Sequence, residues 1–276
     1  MTDTSTNALF IITSATNAPY AAAYAGADKG TDKGNANQQQ TGEPAGNAAA
    51  NNNAHGDNPQ SAPAGRSVPG YDNLLATISS INTHAPGSRI ALVEYSAYPL
   101  SQPQHDALIE QVDYLMSYAG NEQIQRFDRE LGSHQTIAAF SELSSLLWFL
   151  QVGQHHNLYK PFKRVFKMSP GVQLTSALPD SAHFADSAQG RYVFPNAVLA
   201  PNTAGALALQ FSNSYWSMDT SLVPSFIASL QEILESMHKQ NQQGQAVCVE
   251  SMLYKYIDAG KIFYDLKPVV AGASSK

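Results

Sequence analysis

Residues with hydroxyl or carboxyl groups lie where the first two apolar runs of the sequence end. The run ALFIITSA stops at Thr13, Ser14 and Ala15, and the run IALVEY ends on Glu94 and Tyr95. In an open sheet of parallel strands, ligands bind beyond the carboxyl ends of the strands. Hydroxyls and a carboxylate there could hydrogen-bond a hydroxyl-bearing ligand. The alternatives are an ordinary turn closed by Ser and Thr, and a strand-end charge that reaches solvent.

Basic residues gather in the segment KPFKRVFKMS, which ends at Ser169. Alternation along a strand places Lys163 and Lys167 on one face, with Ser169 just beyond it. These cations could stabilise a leaving diphosphate without a metal ion. An equally simple interpretation is that the lysines protect an edge strand from pairing with another chain.

Two acids near predicted helix starts are candidates for a general base. Asp219 follows the aromatic pair Tyr215 and Trp216, and Glu250 opens the segment ESMLYKYI. A carboxylate can accept the proton of an attacking hydroxyl, although carboxylates also cap helices. The two aromatic rings could stack on a sugar or a base, or they could simply belong to the core.

Several well-known motifs are missing from the sequence. It contains no G-x-x-x-x-G-K-[ST], no G-x-G-x-x-G after the first strand and no G-x-S-x-G. These absences argue against a Walker phosphate loop, a dinucleotide fold of the usual type and a serine hydrolase. Cys248 is the only cysteine, which excludes thiolate zinc sites and intramolecular disulfides and fits a reducing compartment.

Composition sets broad limits on the class of protein. The chain has 276 residues, 43% of them hydrophobic, which is enough for a large core, and a net charge of -6. The acidic balance argues against a general nucleic-acid coat. No signal peptide is visible, and the apolar runs fall short of the about 20 residues that a bilayer crossing needs. We therefore expect a cytoplasmic protein without a transmembrane segment.

One segment differs in composition from the rest of the chain. Residues 21–65 are dominated by Ala, Gly, Asn, Gln and Asp, and contain a single aromatic residue. Such a segment buries too little apolar surface to offset the entropy of ordering it. We interpret it as a disordered insertion within a single domain that spans 1–276.

Hydrophobic periodicity predicts alternating strands and helices. Strands are predicted at 8–13, 90–95, 123–127, 164–168, 192–194, 206–211 and 261–266, and helices at 72–84, 104–118, 133–152, 222–240 and 249–257. The first half alternates β-α-β-α-β-α-β. This order predicts an α/β fold in which a mostly parallel sheet is flanked by helices, followed by an irregular C-terminal half.

A series of loose motifs resembles a family of bacterial and phage glycosyltransferase-like proteins with a GT-A-type fold. They are FIITSATNAPY, YDNLLATISSINTHAPGSRIALVEYS, KRVFKMSPGVQL, SNSYWSMDTSLVPSFIASLQEIL and VESMLYKYI, in that order. One departure concerns the turn after the predicted strand at 164–168. Where the family tends to have Gly-Arg-Tyr, this chain has Ser169-Pro170-Gly171-Val172.

The resemblance implies transfer of a hexosyl or pentosyl group from a nucleotide-sugar donor to a hydroxyl acceptor. The acceptor would be a surface glycan or, in a phage, a hydroxylated base in DNA. The implied donor-binding residues are Thr13, Ser14, Ala15, Glu94, Lys167 and Ser169; the acceptor-binding residues are Tyr215 and Trp216; the catalytic carboxylates are Glu250 and Asp219.

Metal-dependent members of the family carry an Asp-x-Asp after the fourth strand, where Mg²⁺ or Mn²⁺ would bind. This chain has none there, so no metal-binding residue is predicted. The missing Asp-x-Asp and the altered turn favour an alternative, a non-catalytic interaction protein built on a degenerate transferase scaffold. A methyltransferase is disfavoured because its Gly-rich loop is absent.

Overall fold

The computed structural model describes residues 7–16, 69–96, 99–131, 134–201, 207–245, 247–265 and 269–271. The predicted insertion at 21–65 lies outside the described residues. The helices are α1 (Pro69–His84), α2 (Gln102–Ile109), α3 (Glu122–Glu130), α4 (His134–His155), α5 (Val223–Gln242) and α6 (Val249–Tyr256). The strands are β1 (Ala8–Ser14), β2 (Arg89–Glu94), β3 (Tyr114–Ser117), β4 (Arg164–Met168), β5 (Gln173–Leu174), β6 (Tyr192–Phe194), β7 (Ala197–Pro201), β8 (Leu207–Phe211), β9 (Tyr215–Asp219), β10 (Ile262–Tyr264) and β11 (Val270–Ala271).

A seven-stranded sheet forms the centre of the fold, in the order β10-β6-β9-β4-β1-β2-β3. Strands β3, β2, β1 and β4 run parallel to one another, and β10 runs parallel to β6. Strand β9 is antiparallel to both of its neighbours. The carboxyl ends of the parallel strands therefore share one edge of the sheet, whereas β9 ends at the opposite edge. The predicted α/β class with a mostly parallel sheet is confirmed.

Helices cover both faces of this sheet. Alternate residues of β1 point to opposite faces, so Leu9 and Ile11 join one core cluster and Phe10 and Ile12 join the other. Helices α4 and α5 supply the first cluster with residues such as Phe140 and Leu150, Phe226 and Leu230. Helix α1 supplies the second with Leu74, Ile78 and Ile81. Strand β1 is buried over its whole length, which fixes the position of its polar carboxyl end.

Two predicted elements are wrong. The predicted helix at 104–118 ends at Ile109, and its second half contains β3, which pairs in parallel with β2. The predicted strand at 123–127 belongs to helix α3 instead. The side chain of Asn121 caps α3 by accepting hydrogen bonds from the backbone N–H groups of Gln123 and Ile124, at 2.9 and 3.4 Å. Pairing with β2 and this cap decide the two conformations, and neither is visible in apolar spacing.

Helix α4 is the one helix of the described chain that is long and apolar enough to cross a membrane, judged by length and composition alone. Within the fold, 67% of its most apolar window is buried. Its residues Ile137, Phe140 and Leu143 pack in the first core cluster. The burial is what a core helix shows, and α4 lies directly behind the site described next.

Candidate functional site

A cleft of about 480 Å³ opens at the sheet edge where the parallel strands end. One wall is a face of α4, on which Gln135, Ala138, Ala139 and Glu142 follow helical spacing. The turn after β4 contributes Ser169, the turn before β9 contributes Asn213 and Ser214, and the start of α6 contributes Cys248 and Glu250. Tyr95 and Gln210 complete the polar lining. The cleft lies where the sequence placed a ligand site, and carboxylates and amides dominate its polar surface.

An ion pair between Glu142 and Lys167 forms the polar centre of the cleft. The Glu142 Oε1 atom lies 2.7 Å from Lys167 Nζ, and the two side chains are 15% and 1% exposed. Thr13 donates its hydroxyl proton to the same Oε1 atom at 2.7 Å. Asn213 donates from Nδ2 to Oε2 at 3.2 Å. The carboxylate thus links the ends of β1 and β4 to helix α4.

The ammonium group of Lys167 has no proton left for a ligand. Besides Glu142, it donates to Ser169 Oγ at 2.9 Å and to the backbone carbonyl of Asn213. An ammonium carries three protons, and all three are engaged. The expectation that Lys167 contacts a leaving diphosphate therefore needs correction, because its charge is neutralised internally. The edge-strand alternative is also wrong, since β4 lies between β1 and β9.

Glu94 joins the two loops that follow β1 and β2. Its Oε1 accepts from the backbone N–H groups of Thr16 at 3.0 Å and Ser96 at 3.1 Å, and its Oε2 accepts from the Thr16 hydroxyl at 2.8 Å. The Ser96 hydroxyl also bonds to it, and Ser14 Oγ lies 2.9 Å from Thr16 Oγ1. The side chain is fully buried and does not line the cleft.

Burial raises the pKa of the Glu94 carboxyl above its ordinary value, and the hydrogen bonds from Ser96 and Thr16 oppose that rise. Both carboxyl oxygens already accept hydrogen bonds within the protein. The alternative of a strand-end charge in solvent is wrong, because the residue is 0% exposed. Glu94 and Ser14 position the floor of the site, and Ala15 packs against the adjoining core.

The two candidate carboxylates lie at opposite edges of the sheet. Glu250 lines the cleft. Asp219, on β9, lies opposite Arg164 of β4 in the strand register, at the amino end of the parallel strands. Asp219 caps the short 3₁₀ turn that follows it by accepting from the N–H and hydroxyl of Ser221, at 2.9 and 2.6 Å, and it accepts from the N–H of Gly190 at 3.0 Å. The cap interpretation of Asp219 fits this geometry, and its candidacy as a base is corrected.

The pKa of Asp219 is lowered from its ordinary value. Partial burial acts to raise it, but the hydrogen bonds from Ser221 and Gly190 and the charge of Arg164 together outweigh that effect. The same hydrogen bonds that lower the pKa hold the carboxylate in place as a cap.

Tyr215 and Trp216 belong to the core, so the expected stacking platform is not formed by these rings. Each residue is 1% exposed. Trp216 packs against Phe194 and Phe226, with ring centroids 5.9 and 4.9 Å apart. The aromatic residue in the described lining of the cleft is Tyr95, which directly follows the second strand.

A buried polar network lies on the β9 side of the sheet, away from the cleft. His183 Nδ1 is 2.7 Å from Ser217 Oγ, and its Nε2 is 3.0 Å from the hydroxyl of Tyr215. Arg164 donates to Ser217 Oγ at 2.7 Å and to two backbone carbonyls at 3.0 Å. Burial, then the charge of Arg164, lowers the pKa of His183 from 6.5 to about 3, so the imidazole is neutral. Burial also lowers the pKa of Arg164 to about 10.

The most important residue that the sequence reasoning missed is Glu142. Helix α4 contains no other Asp, Glu, Lys or Arg, and its remaining residues are apolar or neutral. A single acid in such a helix was a signal for a buried partner or a site. Gln135 lies on the same face of α4, two turns before Glu142, and was missed as well.

The described residues offer no evident site for a divalent ion. No three side chains of His, Cys, Asp or Glu are grouped within the part of the chain that the structure describes. In the cleft, Glu142 already accepts from Thr13, Lys167 and Asn213. We therefore derive no chemical step through a metal ion.

Comparison with known proteins finds similarity at the level of structure. No protein-family model matches the chain, and no curated protein matches it. The mannosyltransferase Ktr4p from S. cerevisiae is 11% identical, at a TM-score of 0.45 over 70% of this chain and 65% of its own. The galactosyltransferase LgtC, in complex with donor and acceptor sugar analogs, is 10% identical, at a TM-score of 0.44 over 70% and 69%. Core-mannan synthase A from Aspergillus fumigatus, in an Mn/GDP form, is 9% identical, at a TM-score of 0.46 over 94% and 72%. The chain spans just under two thirds of the first of these structures.

Proposed function

We propose that this protein is a glycosyltransferase that moves a sugar from a nucleotide-sugar donor to a hydroxyl acceptor. The observation that carries the proposal is the cleft of about 480 Å³, in which Glu142 and Glu250 face the same space at the carboxyl edge of the parallel strands. Carboxylates and amides suit a ligand rich in hydroxyl groups, because carboxylates accept hydrogen bonds from hydroxyls and amides both accept and donate them. The sequence motifs resemble the same class of enzyme.

In this proposal, Glu250 is the general base. The acceptor oxygen forms a bond to the anomeric carbon of the sugar while the bond from that carbon to the diphosphate oxygen breaks. The electron pair leaves with the nucleoside diphosphate, and the hydroxyl proton passes to the Glu250 carboxylate. Glu142 is already bonded to Thr13 and Lys167, so its role is to hold the wall of the cleft in place.

The amino end of α6 places the proposed base in the cleft. Cys248 stands at the N-cap position without a side-chain cap, and its thiol lies 3.5 Å from Glu250 Oε2. Tyr95 lines the same cleft.

A thermal-shift screen with UDP-, GDP-, CDP- and dTDP-sugars, with and without Mn²⁺, tests the proposal. A donor at a hundred times its Kd adds about 2.7 kcal/mol to the free energy of unfolding, so one nucleotide should raise the melting temperature. Glu250→Gln should keep that shift and slow release of the nucleoside diphosphate by about 10²- to 10⁴-fold. Asp219→Asn is the matched control at the opposite edge and should leave the rate unchanged.

The alternative of a non-catalytic interaction protein has one observation in its favour. Lys167 and Glu94, both expected to contact the donor, are bonded internally. Absence of a shift with every donor would overturn the proposal and favour this alternative. For the acceptor, the sequence suggests a surface glycan or a hydroxylated DNA base, and only a DNA acceptor predicts steeply salt-dependent binding.

A further inference from the structure

Strands β7 and β8 form a separate two-stranded ribbon beside the cleft. From Tyr192 to Met218 the sequence contains no Asp, Glu, Lys or Arg. Exposed strands usually carry charges that prevent association, and this ribbon has none. Its aliphatic side chains instead face solvent: Leu199 is 62% exposed, Leu207 66% and Leu209 39%.

Exposed apolar side chains occur on both faces of the ribbon. Leu199 lies opposite Leu209 in the register, and Leu207 shares that face because side chains alternate with a period of two. Val198, on the other face, is 41% exposed. The three most exposed side chains of the ribbon that share one face, Leu199, Leu207 and Leu209, form an apolar surface that suits shallow insertion, while Gln210 on the other face lines the cleft.

The size of the patch argues against a second copy of the chain. A stable protein interface buries about 800 Å² per partner. Four partly exposed aliphatic side chains are far fewer than the about 20 to 30 residues a side that such an interface uses. A few leucines are, by contrast, sufficient for shallow insertion at the boundary of headgroups and acyl chains.

The base of the ribbon has the composition of a membrane-facing rim. Phe211 closes the ribbon against Tyr254 and Tyr264, with ring centroids 5.0 and 6.4 Å apart. Tyr264 is 40% exposed, and aromatic residues with a polar tip favour the membrane–water interface. Lys255, next to Tyr254, and Lys261, three residues before Tyr264, are exposed, with the exposed Asp258 between them; the two cations outnumber the one acid and would attract anionic headgroups.

We propose that the β7–β8 ribbon inserts into the surface of a lipid bilayer. The open edges of a two-stranded ribbon cannot be satisfied in hydrocarbon, so it lies at the interface and does not span the bilayer. Gln210, between Leu209 and Phe211 on β8, lines the cleft. Insertion therefore brings the cleft to the membrane, and the acceptor is a hydroxyl group on a lipid-anchored carrier. This last step rests on the proposed function.

Flotation of the full chain with vesicles tests the ribbon directly. The vesicles are phosphatidylcholine alone and a 70:30 mixture of phosphatidylcholine and phosphatidylglycerol. The protein should float with both and several-fold more with the anionic mixture. Leu199→Ser combined with Leu207→Ser should lower the bound fraction at least tenfold. Ile109→Ser combined with Val152→Ser is the matched control, because these side chains are 52% and 41% exposed away from the ribbon.

The variants change exposed residues, and an unaltered melting temperature in the absence of vesicles verifies their folding. Equal flotation of the wild type and the ribbon variant would overturn the proposal. So would a dimer in solution that the ribbon variant abolishes, since the surface would then bind a second copy. Flotation requires neither donor nor turnover, so its outcome is independent of the transferase proposal. A transferase that does not float would act on a soluble acceptor.

Discussion

The ion pair between Glu142 and Lys167 makes a prediction that can be worked out quantitatively. Removing one partner of a buried pair leaves the other charge unpaired, which costs about 3–5 kcal/mol, whereas replacing both partners is often nearly neutral. Lys167 is 1% exposed and Glu142 is 15% exposed. Leaving the lysine unpaired by removing Glu142 should therefore cost more than leaving the glutamate unpaired by removing Lys167.

The expected values follow from what each variant leaves behind. Glu142→Gln leaves a buried ammonium without a counterion and should lower the free energy of unfolding by about 3 kcal/mol. Lys167→Met keeps the apolar stem, and the unpaired Glu142 carboxylate still accepts hydrogen bonds from Thr13 and Asn213, so the loss should be about 2 kcal/mol. The double variant should lose only about 2 kcal/mol, which gives a coupling energy of about 3 kcal/mol.

The assay is urea denaturation at pH 7, with the midpoint and slope fitted for all four proteins. Arg126 and Glu130 provide the control cycle, because they form an exposed pair at 2.7 Å with side chains 65% and 52% exposed. That pair should contribute about 0.5 kcal/mol or less. If the Glu142 and Lys167 variants were additive within about 0.5 kcal/mol, the two charges would not be neutralising each other in the folded protein.

Three further predictions concern stability. His183 has a pKa of about 3 in the folded protein and 6.5 in the unfolded chain, so acidification from pH 6.5 to 5 protonates only the unfolded chain. The free energy of unfolding should therefore fall by about 2 kcal/mol over this range. His183→Gln should abolish that fall in paired urea titrations. A Cβ on Gly153 would lie 2.2 Å from the Tyr159 hydroxyl, so Gly153→Ala should lower the free energy of unfolding by about 1–3 kcal/mol. Gly70→Ala is the control and should be tolerated in the same thermal melts, because the nearest atom to its Cβ lies at 3.7 Å. Asp219→Asn keeps an acceptor for the Ser221 N–H but loses the acceptor for the Gly190 N–H, so it should lose about 1 kcal/mol without altering any donor-induced shift, and a lost shift would contradict its placement away from the site.

Much of the fold could be predicted from the sequence because it depends on local pattern. Strand β4 and the helices α4 and α5 follow from runs of apolar residues with the expected period, and the order of elements implies parallel strands. Strand β3 and helix α3 could not be predicted, because pairing with β2 and a cap by Asn121 override weak local preferences.

The sequence predicts a ligand site at the strand ends, where the structure has a cleft, but it does not predict which side chains pair there. The ion pair joins Lys167 to Glu142, which is distant in sequence, and no local pattern encodes that contact. The antiparallel direction of β9 likewise separates Asp219 from Glu250 although both lie at helix starts. These are tertiary facts, whereas the polar ends of β1 and β2 are visible in the sequence itself.

Binding of a nucleotide-sugar in the cleft can be tested through Cys248. This residue lines the cleft beside Glu250 and is the only thiol in the chain. The measurement is the rate of its alkylation with and without each nucleotide-sugar. The donor that raises the melting temperature should also slow alkylation about tenfold at a concentration of ten times its Kd, because the bound fraction is protected. An unchanged rate in the presence of that donor would place the binding site elsewhere and contradict the proposed function.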